Sequence, residues 1–128
     1  MRVLIVDDSS ATRAYVRAAL EDDADADVSV TEATSGFEAL RVLPRETFDL
    51  LVVDINMPNI NGLELISFIR QSDAHRNTPL LIISTEASER DRARALGLGA
   101  NAYLAKPFSA EALAGAVRDL RANVKAGD

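Results

Sequence analysis

Four apolar runs in the chain each end in a polar residue able to do chemistry. Val3-Leu4-Ile5-Val6 leads to Asp7 and Asp8, Leu50-Leu51-Val52-Val53 to Asp54, Leu80-Leu81-Ile82-Ile83 to Ser84, and Ala102-Tyr103-Leu104-Ala105 to Lys106. A carboxylate leaving a core is a nucleophile, and its attack on phosphorus gives an acyl phosphate that can be transferred or hydrolysed again. Asp54, preceded by four apolar residues, is the candidate. Carboxylates brought close repel unless a cation joins them, and hard oxygen ligands with room for waters suit Mg2+, for which Mn2+ can substitute. Asp7 and Asp8 then supply one direct ligand and one through water. Lys106 would offset charge on a transferring phosphoryl group, and Ser84 would donate a hydroxyl hydrogen bond to it. Asn56, two residues past Asp54, is placed for its backbone carbonyl to complete the metal shell and its side chain to face the phosphate.

Such chemistry needs residues far apart in the chain to meet. Parallel strands do this, because their carboxyl ends share one edge of a sheet. Strand-like runs alternate with helical patterns five times, which predicts an α/β fold: a doubly wound, five-stranded parallel sheet with helices on both faces. The strands are placed at Val3–Val6, Val28–Glu32, Leu50–Asp54, Leu80–Ser84 and Ala102–Ala105. Helix starts are marked by an acceptor and an acid three residues apart, in Ser35 and Glu38, Asn61 and Glu64, and Ser88 and Asp91. The last helix starts at Ser109, presents Leu113, Ala116, Val117 and Leu120 to the sheet, and is expected to fray after Val124. Met57-Pro58-Asn59-Ile60-Asn61-Gly62 is the clearest loop.

At 128 residues the chain is read as one domain, with 48% hydrophobic and 27% charged residues. No run is long enough to span a bilayer and no secretory signal is visible, so the expected location is the cytoplasm. Cysteine is absent, which removes thiolate chemistry and leaves only oxygen and nitrogen ligands. A net charge of -6 with no basic stripe argues against nucleic-acid binding.

Each residue also has a plainer reading. Asp7 or Asp8 could simply cap the following helix, Ser84 could be a solvated strand end, Lys106-Pro107 an ordinary turn, and Tyr103 a half-buried strand aromatic. His75, in the polar stretch Ser72-Asp73-Ala74-His75-Arg76-Asn77, is expected to be solvated. Pro107 is a candidate for a cis peptide bond that would aim Lys106 inward.

Taken together, Val6-Asp7-Asp8-Ser9, Val53-Asp54-Ile55-Asn56-Met57-Pro58, Gly62, Ser84-Thr85 and Lys106-Pro107-Phe108 resemble the receiver domain of bacterial two-component response regulators, in its single-domain CheY-like form. The resemblance covers essentially the whole chain and implies strand order 2-1-3-4-5, the flavodoxin-like arrangement. It implies that Asp54 accepts phosphate from the phosphohistidine of a sensor kinase or phosphotransfer protein. Asp7, Asp8, Asp54 and the Asn56 carbonyl would hold Mg2+, while Ser84 and Lys106 contact phosphate. It further implies a switch in which Ser84 moves to the phosphate and Tyr103 swings inward, altering a protein-binding surface on the fourth helix, fifth strand and fifth helix. The residues at Asn56 and Glu86 would tune dephosphorylation, and the amide and acid here match rapid self-dephosphorylation. Ser84 stands where Thr is commoner and keeps the hydroxyl. Asn101-Ala102 stands where winged-helix regulators carry an acidic pair used in dimers, so a monomer is expected.

Two other classes remain open on the residues. A Mg-dependent aspartyl phosphatase of the haloacid dehalogenase-like type would also use Asp54, but wants a second acid at the position of Asn56 to protonate the leaving group. A nucleotide or flavin binder would want a glycine-rich phosphate loop where Asp7-Asp8-Ser9 stands.

Overall fold

In a computed structural model of the chain, residues 1–23, 27–85 and 88–127 are described. Strands β1 (Arg2–Val6), β2 (Ser29–Ala33), β3 (Leu50–Asp54), β4 (Leu80–Ser84) and β5 (Ala102–Ala105) alternate with helices α1 (Ser10–Glu21), α2 (Gly36–Val42), α3 (Gly62–Gln71), α4 (Glu89–Leu98) and α5 (Ala110–Gly127). The strands form one parallel sheet in the order β2-β1-β3-β4-β5. Order, parallel sense and strand positions follow the expectation from sequence, with β2 displaced by one residue. The last helix continues to Gly127 rather than ending near Val124.

Alternation along the central strands explains the layering. Leu4, Val6, Leu51, Val53, Leu80 and Ile82 pack with residues of α2, α3 and α4 on one face. Val3, Ile5, Leu50, Val52, Leu81 and Ile83 pack with α1 and α5 on the other. All of these strand residues are fully buried, at about 1.5–3 kcal/mol of transfer free energy for each such side chain. The strands of the centre are therefore continuous apolar runs, and only their ends can carry polar chemistry.

Helix starts are fixed by local chemistry. Ser35, Asn61, Ser88 and Ser109 each accept from a backbone N–H inside the first turn, and Asn61 with Glu64 forms a reciprocal capping box. Ahead of α1 the cap is Ser9, whose Oγ accepts from the Thr12 N–H at 3.3 Å. Asp7 and Asp8 are thereby relieved of the capping role that the sequence left open.

The expectation of a solvated His75 is overturned. His75 is fully buried, its Nε2 donates to the Leu43 carbonyl at 2.8 Å, and its ring stacks on Phe48. Its polar neighbours in sequence misled: Asp73 and Arg76 pair with each other outside, while the histidine turns under the loop. Beside it, Arg70 uses all five guanidinium donors, two on the Gly99 carbonyl and one each on His75 O, Thr78 O and Asn101 Oδ1. Asn101 Oδ1 also accepts from the Leu80 N–H, so its amide serves the α4–β5 connection. Among the described residues, no helix is long and apolar enough to cross a membrane.

Candidate functional site

The carboxyl ends of β1, β3, β4 and β5 gather Asp7, Asp54, Ser84 and Lys106 at one edge of the sheet. Carboxylate oxygens of Asp7, Asp8 and Asp54 lie within 4.8 Å of one another. Asp7, Asp54 and Ser84 are buried, while Asp8 reaches solvent. Lys106 Nζ bridges the pair of buried acids, 2.9 Å from Asp7 Oδ2 and 3.5 Å from Asp54 Oδ1. The Lys106–Pro107 peptide is cis, as the sequence allowed.

Asp7 is held at every polar atom. Its N–H donates to Ala33 O, its carbonyl accepts from Arg13, Oδ1 accepts from the Ser9 N–H and Oδ2 from Lys106. Asp54 has fewer partners, with Oδ1 accepting from the Asn56 N–H at 3.3 Å besides the lysine. Burial, and next the charge of Asp7, push the Asp54 carboxyl up from 3.8 to about 6, against the pull of Lys106 and the Asn56 N–H. An acid so placed is short of positive charge.

Asn56 lies across the opening. Its Nδ2 donates to Thr85 Oγ1 at 3.1 Å and reaches Ser84 Oγ at 3.5 Å, linking the loop after β3 to the end of β4. Gly62 explains how that loop closes: a Cβ there would stand 2.4 Å from the Asp54 carbonyl oxygen and 2.7 Å from Ile55 Cα. Only glycine lets the start of α3 abut the strand that delivers Asp54. Tyr103 is half-buried, sits opposite Ile82 in the ladder, and packs against the apolar layer shared with α3 and α4. A cavity of about 550 Å3 opens beside the site, lined by Thr12, Tyr15, Thr85, Lys106, Pro107 and Phe108.

Three carboxylates against one ammonium leave a negative balance in an all-oxygen donor set. That set fits a hard divalent cation.

Asp7, Asp8, Asp54, Asn56, Ser84 and Lys106 thus meet, Tyr103 lies in the apolar layer shared with α3 and α4, and Glu86 lies outside the described residues. Two contacts escaped the sequence reading. Thr85 takes the Asn56 amide, and Arg13 reaches the Asp7 carbonyl. Arg13 stands one helical turn after Ser9, a spacing that could have pointed back at the acidic loop.

The response regulator receiver domain family model matches residues 3–118. The chain belongs to the response regulator receiver family. Among relatives, this receiver is 37% identical over 113 residues to chemotaxis protein CheY-3 of Vibrio cholerae, covering 88% of this chain and 85% of that one. It is 35% identical over 125 residues to a chemotaxis protein CheY homolog of Campylobacter jejuni, with 94% and 92% covered. The solved structure of the chemotaxis response regulator CheY4 of Vibrio cholerae superposes with a TM-score of 0.85 at 34% identity, covering 93% of the receiver and 97% of that chain. The receiver is a signalling domain of CheY-like fold.

Proposed function

We propose that residues 1–128 act as a single receiver in which Asp54 is reversibly phosphorylated, with a sensor histidine kinase or phosphotransfer protein as donor. The observation that carries this reading is the buried Asp54 carboxylate within 4.8 Å of the carboxylates of Asp7 and Asp8, with Lys106 between the buried pair. Asp7, Asp8, Asp54 and the Asn56 backbone carbonyl would hold Mg2+, or Mn2+ in its place. When bound, the ion supplies positive charge that lowers the repulsion between an incoming phosphoryl group and the acids.

An Asp54 carboxylate oxygen attacks phosphorus, forming a C–O–P linkage as the P–N bond of the donor phosphohistidine breaks. The electron pair stays on the imidazole nitrogen, which takes up a proton. Lys106 holds its ammonium against the transferred oxygens and Ser84 donates its hydroxyl to one of them. Water attack on phosphorus reverses the modification, with Asn56 and Glu86 setting access and hence rate. Movement of Ser84 toward the phosphoryl group, with Tyr103 turning inward, would carry the change to a partner-binding face on α4, β5 and α5. The receiver would work as a cytoplasmic monomer in chemotaxis-type or related signalling.

The test is intact mass spectrometry after incubation with acetyl phosphate and Mg2+. The wild type is expected to gain one phosphoryl group, and Asp54→Asn or addition of a chelator to abolish the gain. Steady turnover of phosphate esters, with the Asp54 adduct formed and hydrolysed in each cycle rather than accumulating, would replace this reading by the aspartyl phosphatase one.

A further inference from the structure

Arg13 spans two elements that the phosphoacceptor chemistry does not otherwise need. Its Nη1 donates to the Asp7 main-chain carbonyl at 2.7 Å and its Nε to Glu32 Oε1 at 2.9 Å, from a side chain only 13% exposed. Glu32 is in turn held from its other oxygen by Arg17, which also pairs with Glu21. The guanidinium therefore sits on a braced acid, with its free face turned to the peptide joining Asp7 to Asp8. Asp7 is fixed at every polar atom, whereas the exposed Asp8 follows the two peptides that flank it, one held by Arg13 at the Asp7 carbonyl and the other by the Ser9 N–H on Asp7 Oδ1. A rotation of the Asp7–Asp8 peptide would leave Asp7 in place through Lys106 and Ser9 while carrying Asp8 away from the other two carboxylates.

We infer that Arg13 is a positioning residue for the acidic triad: by clamping the Asp7 carbonyl against Glu32 it sets the Asp8 carboxylate and hence the affinity for a divalent cation. This rests on the magnesium reading above. Outer contacts that orient ligands typically change metal affinity by about 10- to 100-fold when removed. The planar fork is what makes the double contact, and a lysine ammonium cannot reproduce it.

Calorimetric titration of the full chain with Mg2+, at a temperature where circular dichroism shows each variant folded, separates the possibilities. Arg13→Met is expected to weaken binding by about tenfold or more. Arg13→Lys, which keeps the charge and loses the fork, is expected to bind nearly as weakly as Arg13→Met. Arg2→Met, which removes an exposed ion pair with Glu46 at the start of β1 and touches neither Asp7 nor Glu32, is expected to stay within about twofold of wild type by the same comparison. Should Arg13→Met fail to fold, Glu32→Gln loosens the brace and is expected to weaken binding in the same direction to a smaller extent. Wild-type affinity in Arg13→Met, in Arg13→Lys, or in Glu32→Gln where that variant stands in, overturns the positioning role. A wild-type chain that binds no Mg2+ sinks the magnesium reading itself, an outcome distinct from equal binding across the series.

Discussion

At the carboxyl edge of the sheet Asp7 and Asp54 are buried with one lysine between them, while at the opposite edge a buried His75 and a half-buried Arg70 lie among neutral acceptors that match them donor for donor. Both ends bury polar groups, which costs free energy unless partners are supplied. The lower end meets that cost in full, so its cluster is structural: Arg70 ties the end of α3 to the α4–β5 connection, and His75 ties the loop after α3 to the end of α2. The upper end leaves a surplus of negative charge and a carboxyl pushed up to about 6. A surplus of this kind is a site for something cationic or electrophilic; a satisfied cluster is not.

The contrast is open to direct attack, because substitutions at the two ends should move stability in opposite directions. Arg70→Met strips donors from Gly99 O and Thr78 O, both half-buried, and leaves His75 O with the Thr78 N–H alone; at about 1 kcal/mol for each of the two acceptors left unpaired, the loss is expected to be on the order of 2 kcal/mol in urea denaturation. Burial lowers the affinity of that guanidinium for its proton, yet it stays charged, so the loss should be nearly independent of pH between 5 and 8 by that argument.

Asp54→Asn should do the reverse. In the metal-free chain the folded state holds the Asp54 proton more tightly than the unfolded chain does, because the carboxyl is pushed up from 3.8 to about 6. Protonation therefore favours the folded state, and this group's stabilising share is present below about pH 4 and is lost as pH rises through about 6. Above that window the ionised acid costs on the order of 3 kcal/mol. Asp54→Asn is expected to be more stable than wild type by roughly that amount at neutral pH in chelator, with the difference shrinking toward pH 4. Paired denaturation curves across that range check it, and a difference that does not change with pH would contradict it.

A smaller effect is expected at His75. His75→Leu keeps the apolar bulk against Phe48 but orphans the Leu43 carbonyl, for a loss of about 2 kcal/mol, while phosphorylation by acetyl phosphate should proceed at the wild-type rate. Slowed phosphorylation in His75→Leu would erase the division of labour between the two ends.

The upper end was legible in the sequence and the lower end was not, for one physical reason. In a parallel sheet each apolar run delivers its next residue to the same edge, so Asp7, Asp54, Ser84 and Lys106 could be matched without knowing any loop. Where a strand begins carries no such rule. His75 and Arg70 are placed by contacts with Leu43, Gly99 and Asn101, residues on other connections, and a polar stretch around His75 resembled a solvated loop. The capping role of Ser9 was similarly hidden, because four polar residues in a row, Asp7 to Ser10, give no sign of which one closes the helix. The one-residue displacement of β2 has the same origin: on an edge strand with mixed exposure, alternation marks the boundary weakly.

The central claim is that the carboxylate of Asp54, and no other group, takes the phosphoryl. After acetyl phosphate and Mg2+, borohydride reduces an acyl phosphate to an alcohol, converting a phosphorylated aspartate to homoserine that peptide mass spectrometry can locate. The account predicts homoserine at position 54 alone, lost in Asp54→Asn and in chelator. Homoserine at position 7 or 8, or a phosphoryl group retained on a hydroxyl after reduction, would contradict it.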